Sequence, residues 1–430
     1  MSKLGTLLRY LDTPRKFKTR QQILKRQERG LRKHIPFVRN NSPFYASHWK
    51  GMKDSEWRSF PLIDKSIMME NLDDFLTVRL DVGEARNLAK KAEKSRNFSP
   101  KIGPYSIGYS SGTSGSRGMH FISEQEQAGW AGFMLKRGLD GSILGRHKIG
   151  LILRANSNTF ESIGSRKIQF CFYDLMLPLS EIHAQLLADE VDVLIGPPSV
   201  LRYLADEQSA IAPRRLISSA EVLDEIDRQH IQDHFGQTVH QFYSSTEGEI
   251  AATCEFGTLH LNEGIMVIDK EWVDEEKGWF HPIITDFKRK TQPIIRYRLN
   301  DILVASKHQC ECGDARASIE AIMGRQDDVF YLQRKDHSGF EKVVPDFIRR
   351  AVMQMHPEIA AFCAIQSSPE AIEVQLLPNG LTDCSFDGFE ALWKAKKVEG
   401  PTVTIAPYTH TPSATKLRRI RRSFTPAESL

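Results

Sequence analysis

The clearest candidate for chemistry is a ten-residue stretch rich in glycine and hydroxyl side chains. Residues 109–118 read YSSGTSGSRG, with three glycines, and Arg117 adds a fixed positive charge. Glycine allows backbone conformations in which successive N–H groups point into one concavity, and such concavities bind anions. The composition therefore predicts a phosphate-binding loop, although not of the G-x-x-x-x-G-K-[ST] type, because no Gly-Lys-Ser/Thr follows. A flexible surface loop has the same composition.

Four later segments carry acidic, aromatic and basic side chains in a defined order. They read FYSSTEG at 242–248, PIIRYRLND at 293–301, GRQDD at 324–328 and TPSATKLRR at 411–419. With the SSGTSG loop before them, they resemble, in order, the motifs of the adenylate-forming (acyl-adenylate) ligase superfamily, and most closely its phenylacetate–coenzyme A ligase-like branch. The resemblance extends from about residue 40 to the end of the chain. Five ordered motifs are far more specific than any one of them.

The resemblance implies ATP-dependent activation of a carboxylic acid. The acid would attack the α-phosphate of Mg·ATP to give an acyl-adenylate and pyrophosphate, and coenzyme A would then accept the acyl group. By resemblance, Lys416 and Thr246 act at the α-phosphate and Glu247 holds Mg²⁺, a hard cation that prefers carboxylate oxygens. Nucleotide binding is assigned in the same way to Ser110, Ser111, Gly112, Thr113, Ser114, Gly115, Ala220, Glu221, Tyr243, Asp301 and Arg325.

The residue types suit these roles. An ionised carboxylate such as Asp301 accepts hydrogen bonds from two hydroxyl groups at once, which fits a ribose diol, and an ammonium group at Lys416 stabilises charge in the transition state.

Two glycines of the family motifs are replaced, by Asn300 and Thr415, and Asn tolerates left-handed backbone better than most residues. The glycine-rich loop that follows the hinge in relatives reads LQRKDHSG at 332–339 here. This departure slightly favours an enzyme that stops at the adenylate.

The order of strand and helix patterns predicts an α/β fold. Apolar runs at 149–153 and 191–196 alternate with helical patterns, which indicates a mostly parallel sheet. The resemblance implies a large N-terminal AMP- and acid-binding domain, residues 1–324, and a small, mobile α+β domain, residues 325–430, joined by a hinge at Asp327. Further predicted elements are strands at 105–109, 119–122 and 372–376, and helices at 14–35 (which Pro36 would end or kink), 124–138, 180–188, 223–235 and 344–355.

The walls of an acid pocket are expected from 130–135, 196–201 and 242–246. Trp130 and Phe133, together with Phe242, would suit an apolar or aromatic acid. Packing in the core explains the same aromatic residues equally well.

A possible metal site involves Cys254, His260, Cys310 and Cys312. These residues offer three thiolates and one imidazole, a valid tetrahedral zinc set, and their segments resemble stretches that carry a structural zinc in some phenylacetate-ligase-like proteins. Four unrelated reduced side chains are the alternative. The other cysteines, Cys171, Cys363 and Cys384, are interpreted as ordinary buried thiols.

Composition limits the classes of protein. The 430 residues are 40% hydrophobic and 26% charged, with a formal net charge of +4, which does not demand nucleic acid as a partner. No apolar run approaches the roughly 20 residues of a membrane span, and the first residues lack a signal-peptide pattern, so a cytoplasmic enzyme is expected. Three alternatives stay open. The acceptor is the thiol of an acyl carrier protein, or the enzyme is an adenylyltransferase that acts on a cofactor-like acid, or the protein is a non-catalytic binder of nucleotides or nucleic acid.

The basic helix at 14–35 is either a patch for an acidic partner or a solvated helix face.

Overall fold

The computed structural model describes residues 3–95, 100–109, 118–139, 142–154, 164, 167–412 and 416–425. Helices span Lys3–Asp12, Arg20–Asn41, Pro43–His48, Lys65–Glu70, Leu72–Phe75, Val82–Ser95, Glu124–Gly138, Leu179–Asp189, Pro198–Asp206, Glu225–Phe235, Pro345–Met353 and Asp387–Lys396, with 3-10 helices at Asp54–Ser59 and Gln326–Asp328. Strands are β1 (Lys101–Ile102), β2 (Tyr105–Tyr109), β3 (Met119–Ser123), β4 (His147–Leu153), β5 (Ile168–Asp174), β6 (Val193–Gly196), β7 (Arg215–Ser218), β8 (Val239–Ser245), β9 (Gly248–Thr253), β10 (Leu259–Leu261), β11 (Met266–Asp274), β12 (Trp279–Asp286), β13 (Ile294–Arg298), β14 (Asp301–Ala305), β15 (Ser318–Arg325), β16 (Phe330–Gln333), β17 (Phe340–Val343), β18 (Ala361–Ser368), β19 (Ala371–Leu377), β20 (Thr402–Pro407) and β21 (Ile420–Arg422).

The largest sheet runs in the order β11-β12-β14-β15-β10-β9-β8-β7-β6-β4-β5, and β13 pairs with β12. Strands β5, β4, β6, β7 and β8 are parallel to one another, and the remaining pairs of the sheet are antiparallel. Successive side chains of a strand point to opposite faces. Leu194 therefore packs in a cluster with the helices that follow the parallel strands, whereas Val193 packs toward the helix Glu124–Gly138. This layered α/β arrangement confirms the fold class.

A separate sheet of β1, β2 and β3 precedes the large one. Tyr109 at the end of β2 lies opposite Met119 at the start of β3, and both strands are where the sequence predicted them. The candidate phosphate loop joins these two strands, but Ser110, Ser111, Gly112, Thr113, Ser114 and Gly115 lie outside the described residues.

The C-terminal part forms its own α+β unit. A four-stranded sheet in the order β20-β19-β18-β21 packs with the helices Pro345–Met353 and Asp387–Lys396 around Phe330, Phe362 and Val374. The 3-10 helix Gln326–Asp328 connects β15 of the large sheet to this unit. This short helix is therefore the point at which the chain passes from the large sheet to the small one.

Some details differ from the sequence prediction. The predicted helix at 14–35 begins at Arg20, where the Thr19 side chain accepts a hydrogen bond from the Gln22 backbone, and it continues past Pro36 to Asn41. Proline removes one helical hydrogen bond, but burial of Ile35 and Val38 on both sides of it holds the helix together.

Three side chains are more exposed than expected. Leu24, expected on the apolar face of that helix, is exposed, and Cys171 and Cys384 are half-buried, unlike Cys363. Within the described ranges, no helix has the length and apolar character needed to cross a membrane.

Candidate active site

A cleft of about 1220 Å³ lies between the large and small parts of the chain. The ends of β7 and β8, the turn before β14, the end of β15 and the segment 416–425 line it. In open α/β sheets, ligands bind outside the carboxyl ends of the parallel strands. The carboxyl ends of β7 and β8 lie at this cleft. Nine residues assigned by resemblance line this one cleft: Ala220, Glu221, Tyr243, Thr246, Glu247, Asp301, Arg325, Asp327 and Lys416.

Asp301 is the centre of one polar group in the cleft. Its Oδ2 accepts a hydrogen bond of 2.6 Å from the Tyr243 hydroxyl, and its Oδ1 lies 3.6 Å from Nε of Arg325. Burial raises the pKa of Asp301, and Arg325 and the Tyr243 hydroxyl oppose that rise. The carboxylate is thus desolvated and held in one orientation, as a ligand for hydroxyl donors requires.

Thr246 and Glu247 occupy the turn between β8 and β9. The Tyr297 hydroxyl donates to Oε1 of Glu247 at 3.0 Å, and the Arg289 guanidinium donates to the backbone carbonyl of Thr246. Burial beside the Glu247 carboxylate raises the pKa of Tyr297, so its hydroxyl stays protonated as a donor. The turn is therefore fixed by side chains from two other strands or loops of the large sheet.

Lys416 reaches across the cleft from the small domain. Its Nζ donates to the carbonyl of Ala220 at 3.0 Å, and Ala220 is held in the left-handed backbone region with φ +72°. Burial, with Arg325 and Arg154 nearby, lowers the pKa of Lys416 to about 8, although Glu221 opposes the shift. The ammonium group is thus enclosed at the base of the cleft without a direct carboxylate ion pair among the described residues.

Glu221 anchors the segment that carries this lysine. Its Oε1 accepts the Leu417 backbone N–H at 2.9 Å, and its Oε2 accepts the Ser199 hydroxyl at 2.7 Å. Burial raises the pKa of Glu221. The carboxylate therefore positions the Lys416 segment, a contact that the sequence pattern did not reveal.

The short 3-10 helix after β15 is tied to Asn300. Nδ2 of Asn300 donates to Oδ2 of Asp327 at 3.0 Å, and the Gln326 backbone N–H donates to the Asn300 carbonyl. Asn300 does not adopt positive φ, so the left-handed conformation that asparagine tolerates is not used here. Its side-chain amide instead fixes the 3-10 helix Gln326–Asp328, in which Asp327 stays a predicted hinge.

A second chamber of about 310 Å³ adjoins the cleft. Trp130, Ser245, Thr246 and Glu249 line both spaces, so the chamber and the cleft adjoin at these residues. Trp130 and Phe133 contribute to its wall, as expected. Phe242 instead lines the cleft, with its ring near Gly138, and no residue of 196–201 lines either space.

The chamber holds buried polar groups as well as apolar walls. Glu249 accepts hydrogen bonds of 2.5 Å from the Trp130 indole N–H and the Ser244 hydroxyl, and burial together with Asp286 raises its pKa. His120 has its Nδ1 shielded from solvent, with no hydrogen-bond partner among the residues that the structure describes, and burial lowers its pKa to about 4. A ligand here meets carboxyl, imidazole and guanidinium groups in addition to aromatic surface.

The predicted metal ligands come together on β10 and the loops beside it. The ligand atoms of Cys254, His260, Cys310 and Cys312 all lie within 4.8 Å of one another. The Cys254 and Cys310 sulfurs are 3.7 Å apart, and the Cys312 sulfur is 3.3 Å from Nε2 of His260. The other ring nitrogen of His260 faces the Arg316 carbonyl, the contact that orients a metal-binding imidazole. This arrangement fits one tetrahedral ion.

Several polar residues of these sites were absent from the sequence prediction. Glu249 and Asp286 in the chamber, and Asp227 under the small domain, are buried and charged or hydrogen-bonded. Glu249 could have been noticed in the sequence because it lies two residues after Glu247. Arg419, whose side chain contacts Asp227, could have been noticed because it matches the last arginine of the motif that the segment 411–419 resembles. Asp227 had no local signal.

Comparison with known proteins establishes the fold. No family model and no curated protein matches the chain by sequence. A solved structure of 2-hydroxyisobutyryl-CoA ligase, in the postadenylation state in complex with 2-HIB-AMP, matches with a TM-score of 0.69 and 15% identity over 95% of this chain and 91% of that one. The acyl acid amido synthetase AtGH3.15, in complex with 2,4-DB, matches with a TM-score of 0.55 and 13% identity over 91% and 84% of the two chains. The expected adenylate-forming ligase fold is confirmed.

The same comparison bears on domain orientation. Against the thioesterification state of 2-hydroxyisobutyryl-CoA ligase, in complex with 2-HIB-AMP and CoA, the TM-score is 0.56 at 16% identity over 95% and 92% of the two chains. The chain thus matches the postadenylation state better than the thioesterification state.

Proposed function

We propose that this protein uses ATP to convert a carboxylic acid into an acyl-adenylate and then transfers the acyl group to the thiol of coenzyme A. The observation that carries the proposal is the convergence on one cleft of nine residues assigned by resemblance, Lys416, Thr246 and Glu247 among them. These residues come from segments spread over some two hundred positions of the chain. Their meeting in one cleft is difficult to explain by packing alone.

In the first step, the carboxylate of the acid attacks the α-phosphorus of ATP, the bond to the bridging oxygen of pyrophosphate breaks, and acyl-AMP forms. The acid occupies the chamber, which adjoins the cleft at Thr246. Asp301 accepts the ribose hydroxyls, while the Lys416 ammonium and the Thr246 hydroxyl bind the charge that develops at the phosphoryl group. Mg²⁺, held by Glu247, would neutralise charge on the phosphates.

The second step requires a different domain orientation. Lys416 must leave the cleft before a thiol can attack the acyl carbon, displacing AMP, and rotation about Asp327 would remove it. Coenzyme A is the proposed acceptor. Two alternatives differ in their products. Transfer to a carrier protein gives an acyl-protein thioester in place of acyl-coenzyme A, and an enzyme that stops after the first step releases the adenylate.

The decisive experiment is acid-dependent exchange between ATP and pyrophosphate, over a panel of aryl, fatty, hydroxy and amino acids, with and without coenzyme A. Exchange with any acid, and net AMP release on adding coenzyme A, are expected. Lys416→Ala should reduce exchange by about 10²–10³-fold while nucleotide binding persists, and Lys394→Ala, an exposed lysine of the same domain, should not. Unchanged exchange in Lys416→Ala would contradict its role.

Intact ATP binding with no exchange for any acid would instead favour a non-catalytic nucleotide binder. Acid-dependent release of pyrophosphate with accumulation of the AMP adduct, and no release of AMP on adding any thiol, would favour the adenylyltransferase alternative.

We also propose a structural zinc ion at Cys254, His260, Cys310 and Cys312. The set supplies three thiolates and one imidazole without an additional carboxylate, and a site with four protein ligands leaves no position for substrate. The cluster does not line the cleft. Its role is therefore proposed to be the folding of the loops around it.

A further inference from the structure

The first helix of the chain is fixed to the protein by one side only. Thr6 and Tyr10 of the helix Lys3–Asp12 are buried against the helix Glu124–Gly138. At Gly132 of that helix, an added Cβ would lie 2.3 Å from the Thr6 carbonyl oxygen, so only glycine permits this approach. The contact determines which side of Lys3–Asp12 faces outward.

The outward side carries four leucines. Leu4, Leu7, Leu8 and Leu11, here called the leucine stripe, are 64%, 40%, 57% and 66% exposed. Their spacing of three, four and seven residues places them on one side of a helix with about 3.6 residues per turn. An isolated exposed leucine needs no explanation, but a continuous apolar stripe indicates a surface that is covered by something else.

The charge around the stripe is strongly positive. Of the chain's 58 Lys and Arg residues, eleven lie within 3–33, but only two of its 54 Asp and Glu residues do. This segment therefore has a formal charge of +9, while the other residues together have −5, giving the chain's total of +4. An anionic partner would be attracted to this end of the molecule and repelled by much of the rest.

Exposed basic residues lie on the helix that follows the stripe in the chain. Arg26 of the helix Arg20–Asn41 donates to Oδ2 of Asp12 at 2.7 Å, which ties the end of the first helix to this one and neutralises one of the two acids. Arg29 and Lys33 are exposed, three and seven residues further along the same side of that helix. The ion pair thus connects the helix that carries the stripe to a helix that carries exposed cations.

We propose that the leucine stripe and the basic side chains of the helix Arg20–Asn41 bind the protein to the surface of an anionic membrane. A short amphipathic helix with leucines on one side and Lys and Arg around it lies in the membrane interface, with the leucines among the acyl chains and the cations at the headgroups. The proposal does not depend on the reaction proposed above.

Binding in this way would bring the acid chamber close to the membrane. Arg9, on the same short helix, lines the chamber, as do Gly129 and Trp130 of the helix beneath it. In a membrane-bound molecule, the helix Lys3–Asp12 would therefore lie between the lipid surface and this wall of the chamber.

Vesicle flotation of the full chain tests the proposal. The protein is expected to float with vesicles of phosphatidylcholine and phosphatidylglycerol, but not with phosphatidylcholine alone, and to dissociate at high salt. Leu4→Gln/Leu8→Gln/Leu11→Gln should lower binding by about tenfold or more, and Arg29→Gln/Lys33→Gln should lower it at low salt. Leu144→Gln/Leu187→Gln, which changes two leucines that are 71% and 45% exposed elsewhere, is the matched control and should bind as the wild type does.

Circular dichroism and thermal melting check that each variant is folded. Equal flotation of the wild type and the triple leucine variant would overturn the proposal, as would the absence of flotation. If neither floats, and the wild type is a dimer that the triple variant converts to a monomer, the stripe is an interface between copies. Capture of an acidic carrier protein through the same leucines, without vesicle binding, would also replace the membrane as the partner.

Discussion

Arg419 and Asp227 form a buried ion pair between the C-terminal segment and the helix Glu225–Phe235. Nη2 of Arg419 lies 2.6 Å from Oδ1 and 2.5 Å from Oδ2 of Asp227, and the Asp227 side chain is fully buried. Arg202 of the helix Pro198–Asp206 contacts the same carboxylate at 3.0 Å. Since Arg419 stands three residues after Lys416, the pair holds the segment that brings Lys416 into the cleft.

Removing the arginine should therefore weaken adenylation selectively. Loss of one partner of a buried pair typically costs about 3–5 kcal/mol when the other charge is left unpaired; here Arg202 keeps a contact with Asp227, so the cost lies below that range and applies only to the arrangement in which Arg419 reaches Asp227. Arg419→Gln is expected to slow acid-dependent ATP–pyrophosphate exchange by about tenfold and to leave thiolysis of a supplied acyl-adenylate unchanged. Arg421→Gln, which changes an exposed arginine two positions further on, is the control. Equal loss in both half-reactions would show a general folding defect.

The lowered pKa of Lys416 predicts a pH dependence. Burial and the nearby Arg325 and Arg154 reduce its pKa to about 8, so the fraction of free enzyme with a charged lysine falls as pH rises through that value. If the ammonium binds the α-phosphate, kcat/KM for ATP in exchange should decline above pH 8. Lys416→Arg, whose guanidinium stays charged, should lower the rate but move the decline to higher pH. An unchanged decline in that variant would assign it to another group.

Local motifs were enough to identify most of the cleft. Tyr243, Thr246, Glu247, Asp301 and Lys416 each lie in a short segment whose residue types suit one task, so the resemblance alone predicted that they lie close together. The strands β2 and β3 were equally readable because alternation and bounding glycines are local signals.

Long-range contacts were not readable. Asp227 and Arg419 are 192 positions apart, and neither has a neighbouring pattern that signals an ion pair. The same holds for the chamber, where Glu249 and Asp286 come from different strands and only the folded chain brings them together. At Pro36 a local signal was misleading. The proline predicted a kink or an end of the helix, but the helix continues to Asn41 because burial of Ile35 and Val38 outweighs the lost hydrogen bond.

The buried carboxyl group of the chamber should influence the choice of acid. Glu249 accepts two hydrogen bonds and faces the space next to Asp286, so an acid with a hydroxyl or amino group gains a partner that a hydrocarbon chain does not use. In Glu249→Gln, kcat/KM for 3-hydroxybutyrate should fall about tenfold more than kcat/KM for butyrate. A tenfold difference corresponds to the loss of one good hydrogen bond to a charged group. Glu263→Gln changes another buried glutamate outside the chamber and should leave the ratio unchanged. A constant ratio in Glu249→Gln would exclude contact with the acid.

The metal cluster should stabilise the segment that links the first two helices. Nζ of Lys16 donates to the Cys312 carbonyl at 2.9 Å, and the Ala315 backbone N–H donates to the Phe17 carbonyl, so the loop carrying Cys310 and Cys312 holds this segment in place. The purified protein should contain one equivalent of zinc, and Cys310→Ser should lose it, lower the melting temperature by several degrees and expose Lys16 to trypsin, because the binding energy of a structural metal contributes to folding. Cys384→Ser removes a thiol outside the cluster and should change none of these. Metal-free protein with the wild-type melting temperature and the same resistance to trypsin would show that the cluster is a set of reduced side chains with no structural ion.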